Sequence, residues 1–442
     1  MRDSLTTLFR YWEQRRRVFA SRDQLEHFQE KQVRRLLRRV VPGSDFTRER
    51  FGILPWEEWQ RIPVMDKPML LQHFDRLNTG GISREEAFAV ARQAERTRDF
   101  KPQLQGVTVG LSSGTSGRQG IFLVSREERC RWAGTILAKM LPRGLLAGER
   151  VAFFLRAGGN LYETVRTRCL QFEFFDLMDE MERHLSRLKR LLPTILIGPP
   201  SLLVELSRLV NEGILHLPVV RVISVAEVLD PLDREVIESA FGQVLHQVYQ
   251  ATEGFLGATC SFGVLHLNED LLIFEKEFIE AGEGRFIPII TDLFRTTLPI
   301  IRYRLDDILV PRRGPCPCGS VLLALDRVDG RCDDVFYWPA LEGAGWRRIY
   351  PDFIRKAVVE ADGAVRDFRV RQLSPGEVEL SLEGAATAFP RVSEALLALA
   401  RRNQAQPPVI RLANGFPTRN RDQKLRRIER CFTPEAVSGP LA

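Results

Sequence analysis

Between residues 107 and 249 the sequence alternates short β-rich runs with longer stretches of helical periodicity. The β-rich runs cover residues 107–111, 121–124, 151–155, 194–197, 219–225 and 244–249. Apolar residues recur at helical spacing over residues 126–140, 180–191 and 201–212. This alternation is typical of an α/β domain, because each helix returns the chain to a parallel strand. We therefore predict a sheet that is largely parallel and flanked by helices.

The flanking regions have a different character. Residues 1–50 show helical spacing, and the stretch after residue 253 reads as β-strands and turns. Beyond residue 333 a tail of about a hundred residues mixes strand and helix patterns. We predict a large α/β amino-terminal domain with mixed sheets (1–332, helical over 1–50) and a small carboxy-terminal α+β domain (333–442).

Composition excludes several classes of protein. With 44% hydrophobic and 27% charged residues among 442, the chain resembles an ordinary globular protein. It has neither an apolar run long enough to span a membrane nor a secretory segment, so we expect a cytoplasmic location. The net charge of +7 is concentrated at the two ends, yet no nucleic-acid-binding motif accompanies it. We predict an anionic small-molecule substrate and no nucleic-acid partner.

A loop rich in glycine and hydroxyl groups, Leu111-Ser-Ser-Gly-Thr-Ser-Gly-Arg-Gln-Gly120, separates two of the β-rich runs. Glycine lets the backbone approach a ligand, so such a loop can wrap a polyphosphate. It is neither a Walker A loop nor a dinucleotide-binding fingerprint. From the residues alone, a polar hairpin loop remains the alternative.

The cysteines suggest a metal site. Seven cysteines without a secretory segment argue against a disulfide framework. Cys260 and His266 lie six positions apart, and Cys316 and Cys318 follow about fifty residues later. Three thiolates and an imidazole form a complete tetrahedral set for a structural Zn²⁺. Buried free cysteines are the alternative interpretation.

Three phrases follow the loop in order: Tyr249-Gln-Ala-Thr-Glu253, Leu298-Pro-Ile-Ile-Arg-Tyr-Arg-Leu-Asp-Asp307 and Gly330-Arg-Cys-Asp333. Together with the loop they resemble the core motifs of the adenylate-forming (ANL) superfamily of acyl-CoA synthetases and luciferases. The 298–304 phrase and the Cys-x-Cys-Gly at 316–319 are similar to the phenylacetate–CoA ligase and coenzyme F390 synthetase branch, whose members carry a similar zinc site. The resemblance covers residues 50 to 430.

The resemblance implies an enzyme that joins a carboxylate to the α-phosphate of ATP and releases pyrophosphate. The implied catalytic residues are Lys424, Thr252 and Glu253, with Glu253 also the Mg²⁺ ligand. Asp333 is implied as the hinge before a mobile carboxy-terminal domain. The implied ATP- and AMP-binding residues are Ser112, Ser113, Gly114, Thr115, Ser116, Gly117, Arg118, Ala226, Glu227, Tyr249, Asp307 and Arg331. Arg302 or Arg304 is expected near the phosphates.

The resemblance also implies the substrates: ATP, an aromatic carboxylic acid, and coenzyme A as the thiol that receives the acyl group. Residues 335–346 replace the family's short Gly-containing turn with a longer aromatic stretch. The thiol of a separate carrier protein, an amine, an alcohol, or no acceptor at all therefore stay open as alternatives to coenzyme A. Arg118, Gln250 and Gln423 also depart from the family's usual residues. An adenylyltransferase of the F390 synthetase type and a non-catalytic nucleotide-binding protein are the alternative functions. A homodimer is left open.

Overall fold

The computed structural model describes residues 2–100, 103–111, 119–156, 170–279, 284–383, 386–417 and 426–433. The chain divides into two units, one of residues 1–305 and 310–327 and the other of residues 306–309 and 328–442. The hinge predicted at Asp333 concerns motion and stays a prediction.

Six helices of the first unit begin where a serine or aspartate side chain accepts a free backbone N–H group. Ser125 accepts the N–H of Glu128, whose carboxylate accepts the N–H of Ser125 in return, which is a capping box. The helices predicted at 126–140, 180–191 and 201–212 are confirmed to within one residue. In chain order the helices are α1 (Arg2–Arg15), α2 (Arg22–Gly43), α3 (Asp45–Phe51), α4 (Lys67–Gln72), α5 (Phe74–Leu77), α6 (Arg84–Thr97), α7 (Arg126–Met140), α8 (Met181–Leu191), α9 (Pro200–Asn211) and α10 (Pro231–Phe241).

The strands that precede the carboxy-terminal region form a three-stranded sheet (β1–β3) and a large mixed sheet (β4–β15). The last two, β14 and β15, carry residues of both units. The strands are β1 (Gln103–Leu104), β2 (Val107–Leu111), β3 (Ile121–Val124), β4 (Arg150–Leu155), β5 (Gln171–Asp176), β6 (Ile195–Gly198), β7 (Arg221–Ser224), β8 (Leu245–Ala251), β9 (Gly254–Thr259), β10 (Leu265–Leu267), β11 (Leu272–Phe278), β12 (Phe286–Asp292), β13 (Tyr303–Arg304), β14 (Asp307–Pro311) and β15 (Ala324–Arg331).

The large sheet has the order β11-β12-β14-β15-β10-β9-β8-β7-β6-β4-β5, with β13 paired to β12. Strands β5, β4, β6, β7 and β8 run parallel, and all of them except β5 were predicted. The runs predicted at 107–111 and 121–124 pair antiparallel in the three-stranded sheet instead. Strand β9 pairs antiparallel with both of its neighbours, β8 and β10. The parallel-to-antiparallel change at β8 makes the sheet mixed and confirms the predicted fold class.

Consecutive residues of β4 are buried on opposite faces of this sheet. Phe153 packs in the cluster that includes Leu123, whereas Phe154 packs in the cluster that includes Leu188 of α8. Because side chains alternate along a strand, burial of both shows that the sheet is covered on both faces. Among the described residues, no helix combines the length and the apolar character that crossing a membrane requires.

The second unit is a small α+β structure, as predicted. Its four-stranded sheet has the order β20 (Val409–Leu412), β19 (Glu377–Glu383), β18 (Asp367–Ser374) and β21 (Ile428–Arg430). The aromatic stretch at 335–346 contributes to a hairpin of β16 (Phe336–Pro339) and β17 (Trp346–Ile349). A 3₁₀ turn, Cys332–Asp334, precedes the hairpin. The helices of this unit are α11 (Pro351–Ala361) and α12 (Phe389–Arg402).

Candidate functional site

The candidate site lies at the carboxyl ends of the parallel strands. Gly198 of β6 pairs with Ser224 of β7, and Ser224 pairs with Gln247 of β8, so the three strands end at one edge. Ligands of open α/β sheets bind at such an edge. The chain leaves β8 and returns antiparallel as β9, which places Thr252 and Glu253 in the turn between them.

The carboxylate of Glu253 is held at both oxygens. The hydroxyl of Thr252 donates to Oε2 over 2.8 Å, and the phenol of Tyr303 donates to Oε1 over 3.0 Å. Tyr303 is itself buried in β13. A carboxylate oriented in this way is a suitable ligand for a hard cation such as Mg²⁺.

Hydrogen bonds made by residues 292–295 support the turn that contains Thr252 and Glu253. Arg295 donates from Nη1 to the carbonyl oxygen of Thr252 over 2.6 Å. Asp292 accepts the backbone N–H groups of Phe294 and Arg295 at 2.9 and 3.1 Å. Burial raises the pKa of Asp292 to about 6, against these hydrogen bonds and the charge of Arg295. The segment 292–295 thus supports the main chain at Thr252.

Tyr249 and Gln250 lie at an irregularity in the β8–β9 pairing. The register shifts between these two residues, as it does at a β-bulge, and bulges re-aim side chains next to active sites. The side-chain amide oxygen of Gln250 accepts a hydrogen bond of 3.2 Å from the indole N–H of Trp132 on α7. This contact fixes the side chain of Gln250 at the irregularity.

The turn after β7 contains a strained residue. Ala226 has φ of 70°, a left-handed conformation that costs a residue with a Cβ about 1 kcal/mol or more. The carboxylate of Glu227 accepts the N–H of Ser201 at the start of α9 over 3.3 Å. Both predicted ATP-binding residues thus lie at the same strand edge as Thr252.

The predicted phosphate loop, Ser112 to Arg118, lies outside the described residues. The strands that flank it pair antiparallel, with Leu111 opposite Ile121. A Cβ at Gly110 would overlap the ring of Phe122, so any other residue there requires that ring to move.

Arg302 and Arg304 are engaged by glutamates of β11. Arg302 donates to both carboxylate oxygens of Glu275, and Arg304 does the same to Glu277. Their guanidinium groups are therefore used in pairing across the sheet.

In the second unit, Arg331 lies among acidic side chains. Its guanidinium is 3.2 Å from Asp306 and 3.4 Å from Asp333, and Asp307 begins β14. Burial lowers the pKa of Arg331, but the charges of Asp333, Asp307 and Asp306 outweigh it and hold the pKa above its usual value. The predicted ribose-binding and hinge residues therefore share one charged cluster.

Lys424 lies outside the described residues, but the chain just after it is anchored in the second unit. Arg426 forms an ion pair with Asp334, and Arg427 donates to the buried carboxylate of Asp367 over 2.6 Å. Burial raises the pKa of Asp334 to about 6, against the charge of Arg426. Two ion pairs thus fix the end of the segment that carries Lys424.

The predicted metal ligands converge in the first unit. The ligand atoms of Cys260, His266, Cys316 and Cys318 all lie within 4.8 Å of one another. Cys260 Sγ is 3.8 Å from Cys316 Sγ, and Cys318 Sγ is 3.4 Å from His266 Nε2. The antiparallel pairing of β10 with both β9 and β15 brings these distant positions together.

The chemistry of this cluster fits a tetrahedral metal. His266 Nδ1 is 3.0 Å from the carbonyl oxygen of Leu322, which leaves Nε2 facing the sulfur atoms. Burial lowers the pKa of His266, which favours the neutral ring that metals bind. Burial raises the pKa of Cys318 to about 11, whereas hydrogen bonds from Cys318 lower the pKa of Cys316 against burial. Three sulfur atoms and one nitrogen leave no open position, as in structural zinc sites.

Three residues of the site were not singled out from the sequence: Tyr303, Arg295 and Trp132. Tyr303 lies within the phrase at 298–307 that carries the resemblance, so a signal for it was present. Arg295 and Trp132 lie in no such phrase, and only the tertiary structure reveals their contacts.

Comparison with known proteins supports the fold. No family model and no curated protein matches the sequence. Among solved structures, 2-hydroxyisobutyryl-CoA ligase in complex with 2-HIB-AMP matches with a TM-score of 0.66 at 18% identity, over 92% of this chain and 89% of that chain.

Two further structures match over most of the chain. GH3.15 acyl acid amido synthetase has a TM-score of 0.56 at 14% identity, over 89% of this chain and 86% of that chain. Amide bond synthetase McbA from Marinactinospora thermotolerans has a TM-score of 0.52 at 15% identity, over 72% and 68%. All three are ligases of the adenylate-forming (ANL) superfamily, and this chain has their fold.

Proposed function

We propose that this protein adenylates a carboxylic acid. The carboxylate oxygen attacks the α-phosphorus of ATP, the bond between that phosphorus and the oxygen bridging to the β-phosphate breaks, and pyrophosphate leaves. The observation that carries the proposal is the oriented carboxylate of Glu253 in the turn after β8, within a fold shared with adenylate-forming ligases.

In this mechanism the protein holds two anions together and neutralises the charge that develops on phosphorus. Glu253 would hold Mg²⁺ against the phosphates, and Thr252 would contact the α-phosphate. Ala226, Glu227 and Tyr249 would form the adenine pocket at the same strand edge. The loop 112–118 would bind the β- and γ-phosphates, Asp307 the ribose and Arg331 the nucleotide, while Lys424 would reach the acid and the α-phosphate.

The second half-reaction transfers the acyl group. The sulfur of coenzyme A would attack the acyl carbon, its proton would pass to solvent, and AMP would leave. The ligase that binds 2-HIB-AMP and CoA supports this acceptor. The second candidate acceptor is an amine, which the amide and amido synthetases support. The acid is proposed to be aromatic.

We also propose that Cys260, His266, Cys316 and Cys318 hold one structural Zn²⁺. The metal would fix the turn after β9 to the loop before β15. Because the four side chains complete the coordination, no role in the reaction is assigned to it.

Pyrophosphate release from ATP tests the function. The assay compares aryl and fatty acids, each with coenzyme A, with an amine, or alone. The wild-type protein is expected to release pyrophosphate only with an acid, and Lys424→Ala to lose most of that activity. The matched control is Lys356→Ala, which changes an exposed lysine of α11 and should leave the rate unchanged. ATP binding without acid-dependent release would refute the ligase proposal.

A further inference from the structure

A cavity of about 290 Å³ lies in the first unit, between α1, α2, α7 and the segment 293–296. Five arginines line it: Arg10 of α1, Arg17 just after the end of α1, Arg35 and Arg39 of α2, and Arg131 of α7. None of them belongs to the candidate adenylation site. The positive charges of these guanidinium groups repel one another, so negative charge in or around the cavity would stabilise them.

The carboxylates around the cavity do not balance this charge. Glu13 is shared by three guanidinium groups, at 2.7 Å from Arg10, 2.8 Å from Arg17 and 3.4 Å from Arg131. Burial opposes its ionisation, yet the hydrogen bond from Arg10 and the three positive charges hold the pKa of Glu13 below its usual value.

The other two carboxylates that line the cavity, those of Glu127 and Glu128, also have partners within the protein. Glu127 pairs with Arg10 over 2.8 Å, and Glu128 accepts the backbone N–H groups of Thr296 and Thr297 at 2.6 and 2.8 Å. Within the part of the chain that the structure describes, Arg35 and Arg39 therefore face the cavity with neither an ion pair nor a hydrogen bond. Their charges are available to a ligand.

The inner guanidinium groups are held in place by aromatic rings. Arg131 lies 4.2 Å above the ring of Phe294, and Arg17 lies 5.0 Å from that of Phe28. Burial, together with repulsion from Arg10 and Arg17, lowers the pKa of Arg131 to about 10 despite attraction from Glu13. The group therefore stays charged at neutral pH, in a fixed position that suits bidentate contact with an oxyanion.

We propose that this cavity binds a small molecule that carries adjacent phosphate groups, at a site separate from Thr252 and Glu253. Arg35 and Arg39 are one helical turn apart, so both guanidinium groups can reach neighbouring phosphates of one ligand. The enclosed volume fits a small molecule, not a nucleic-acid backbone. The site is independent of the proposed adenylation activity.

The test uses pyrophosphate as the probe, titrated calorimetrically into the full chain without Mg²⁺. Arg35→Glu/Arg39→Glu removes the two free guanidinium groups, and both residues are exposed, so the fold is retained. Lys31→Glu/Arg38→Glu is the matched control, because it makes the same charge change at exposed positions of α2 that do not line the cavity. Circular dichroism and Tm establish that both variants are folded.

Because pyrophosphate also fits the proposed ATP site, the readout is the difference between variants. The wild type and the control are expected to bind one equivalent more than Arg35→Glu/Arg39→Glu, or at least about tenfold more tightly at that site. Inorganic phosphate is expected to bind more weakly than pyrophosphate. Equal binding by all three proteins, an equal loss in the control, or no saturable binding at millimolar pyrophosphate would overturn the proposal.

Discussion

The phenol of Tyr303 donates a hydrogen bond of 3.0 Å to Glu253, fifty positions earlier in the chain. Thr252 donates to the other carboxylate oxygen over 2.8 Å, so two separate elements hold one carboxylate. A metal ligand that is already oriented loses little side-chain freedom when the cation binds. The geometry therefore assigns Tyr303 a positioning role toward the proposed Mg²⁺ ligand.

Tyr303→Phe tests that role. Removal of a hydrogen bond to a charged group costs about 1.5–3 kcal/mol, so acid-dependent pyrophosphate release should fall roughly ten- to a hundredfold. The Mg²⁺ concentration needed for half-maximal rate should rise, which a purely structural role would not produce. Tyr11→Phe, at another buried tyrosine, is the control. An unchanged Mg²⁺ requirement in Tyr303→Phe would contradict the assignment.

Gly134 is the point of closest approach between α1 and α7. A Cβ there would lie 2.7 Å from the carbonyl oxygen of Thr7 and 2.7 Å from the backbone nitrogen of Tyr11. Because these are backbone atoms, Gly134→Ala must displace α1. We expect a loss of about 1–3 kcal/mol in the free energy of unfolding, measured by chemical denaturation.

The matched control for this variant is Gly363→Ala, where a Cβ meets nothing within 4 Å. It should change stability by less than about 0.5 kcal/mol. If Gly134→Ala is as stable as the control, the packing of α1 against α7 is looser than the structure indicates.

The sequence predicted those features that depend on residues close together in the chain. The alternation over residues 107–249 predicted four of the five parallel strands, whereas its first two runs, 107–111 and 121–124, form an antiparallel pair in the small sheet. The end of β8 was placed close enough to put Thr252 and Glu253 at its carboxyl end. Side-chain periodicity carries this information because each strand and helix must bury a defined face.

What the sequence did not reveal depends on pairing between distant strands. β5 was not predicted, because polar and apolar residues alternate only over 171–174 before Phe175 breaks the pattern. Likewise, the contact of Cys318 with His266 depends on the register between β10 and β15. The contact of Trp132 with Gln250 depends on the packing of α7 near the irregularity in the β8–β9 pairing. No periodicity within one element specifies such registers.

The Cys/His cluster makes a prediction about metal content. The purified protein is expected to contain about one zinc per chain by mass spectrometry, and Cys316→Ser to lose it. Since zinc would join two loops, chelation or Cys316→Ser should lower the Tm by several degrees. Cys431→Ser, at an exposed cysteine outside the cluster, should retain both the metal and the Tm. The zinc proposal would be refuted if the purified wild-type protein contains no metal and its Tm is the same with and without a chelator.

Asp292 and Asp270 predict opposite pH dependences of stability. Burial raises the pKa of Asp292 to about 6. Lys139 at 3.0 Å and Gln14 at 2.5 Å lower the pKa of Asp270, although burial opposes them. The contribution of Asp292 is thus complete below the ordinary value of 3.8 and is lost as the pH rises through about 6. That of Asp270 is present above its ordinary pKa and is lost as the pH falls.

Substitution by asparagine separates the two cases. Asp292→Asn should gain about 1–3 kcal/mol over the wild type as the pH rises from 4 to 7, because the amide cannot ionise. Asp270→Asn should lose about 3 kcal/mol at pH 7, where it leaves Lys139 without its counter-charge, and approach the wild type in acid. Tm measured against pH for the three proteins checks both slopes. Slopes of the same sign would show that burial, rather than the contacts of each carboxylate, governs both residues.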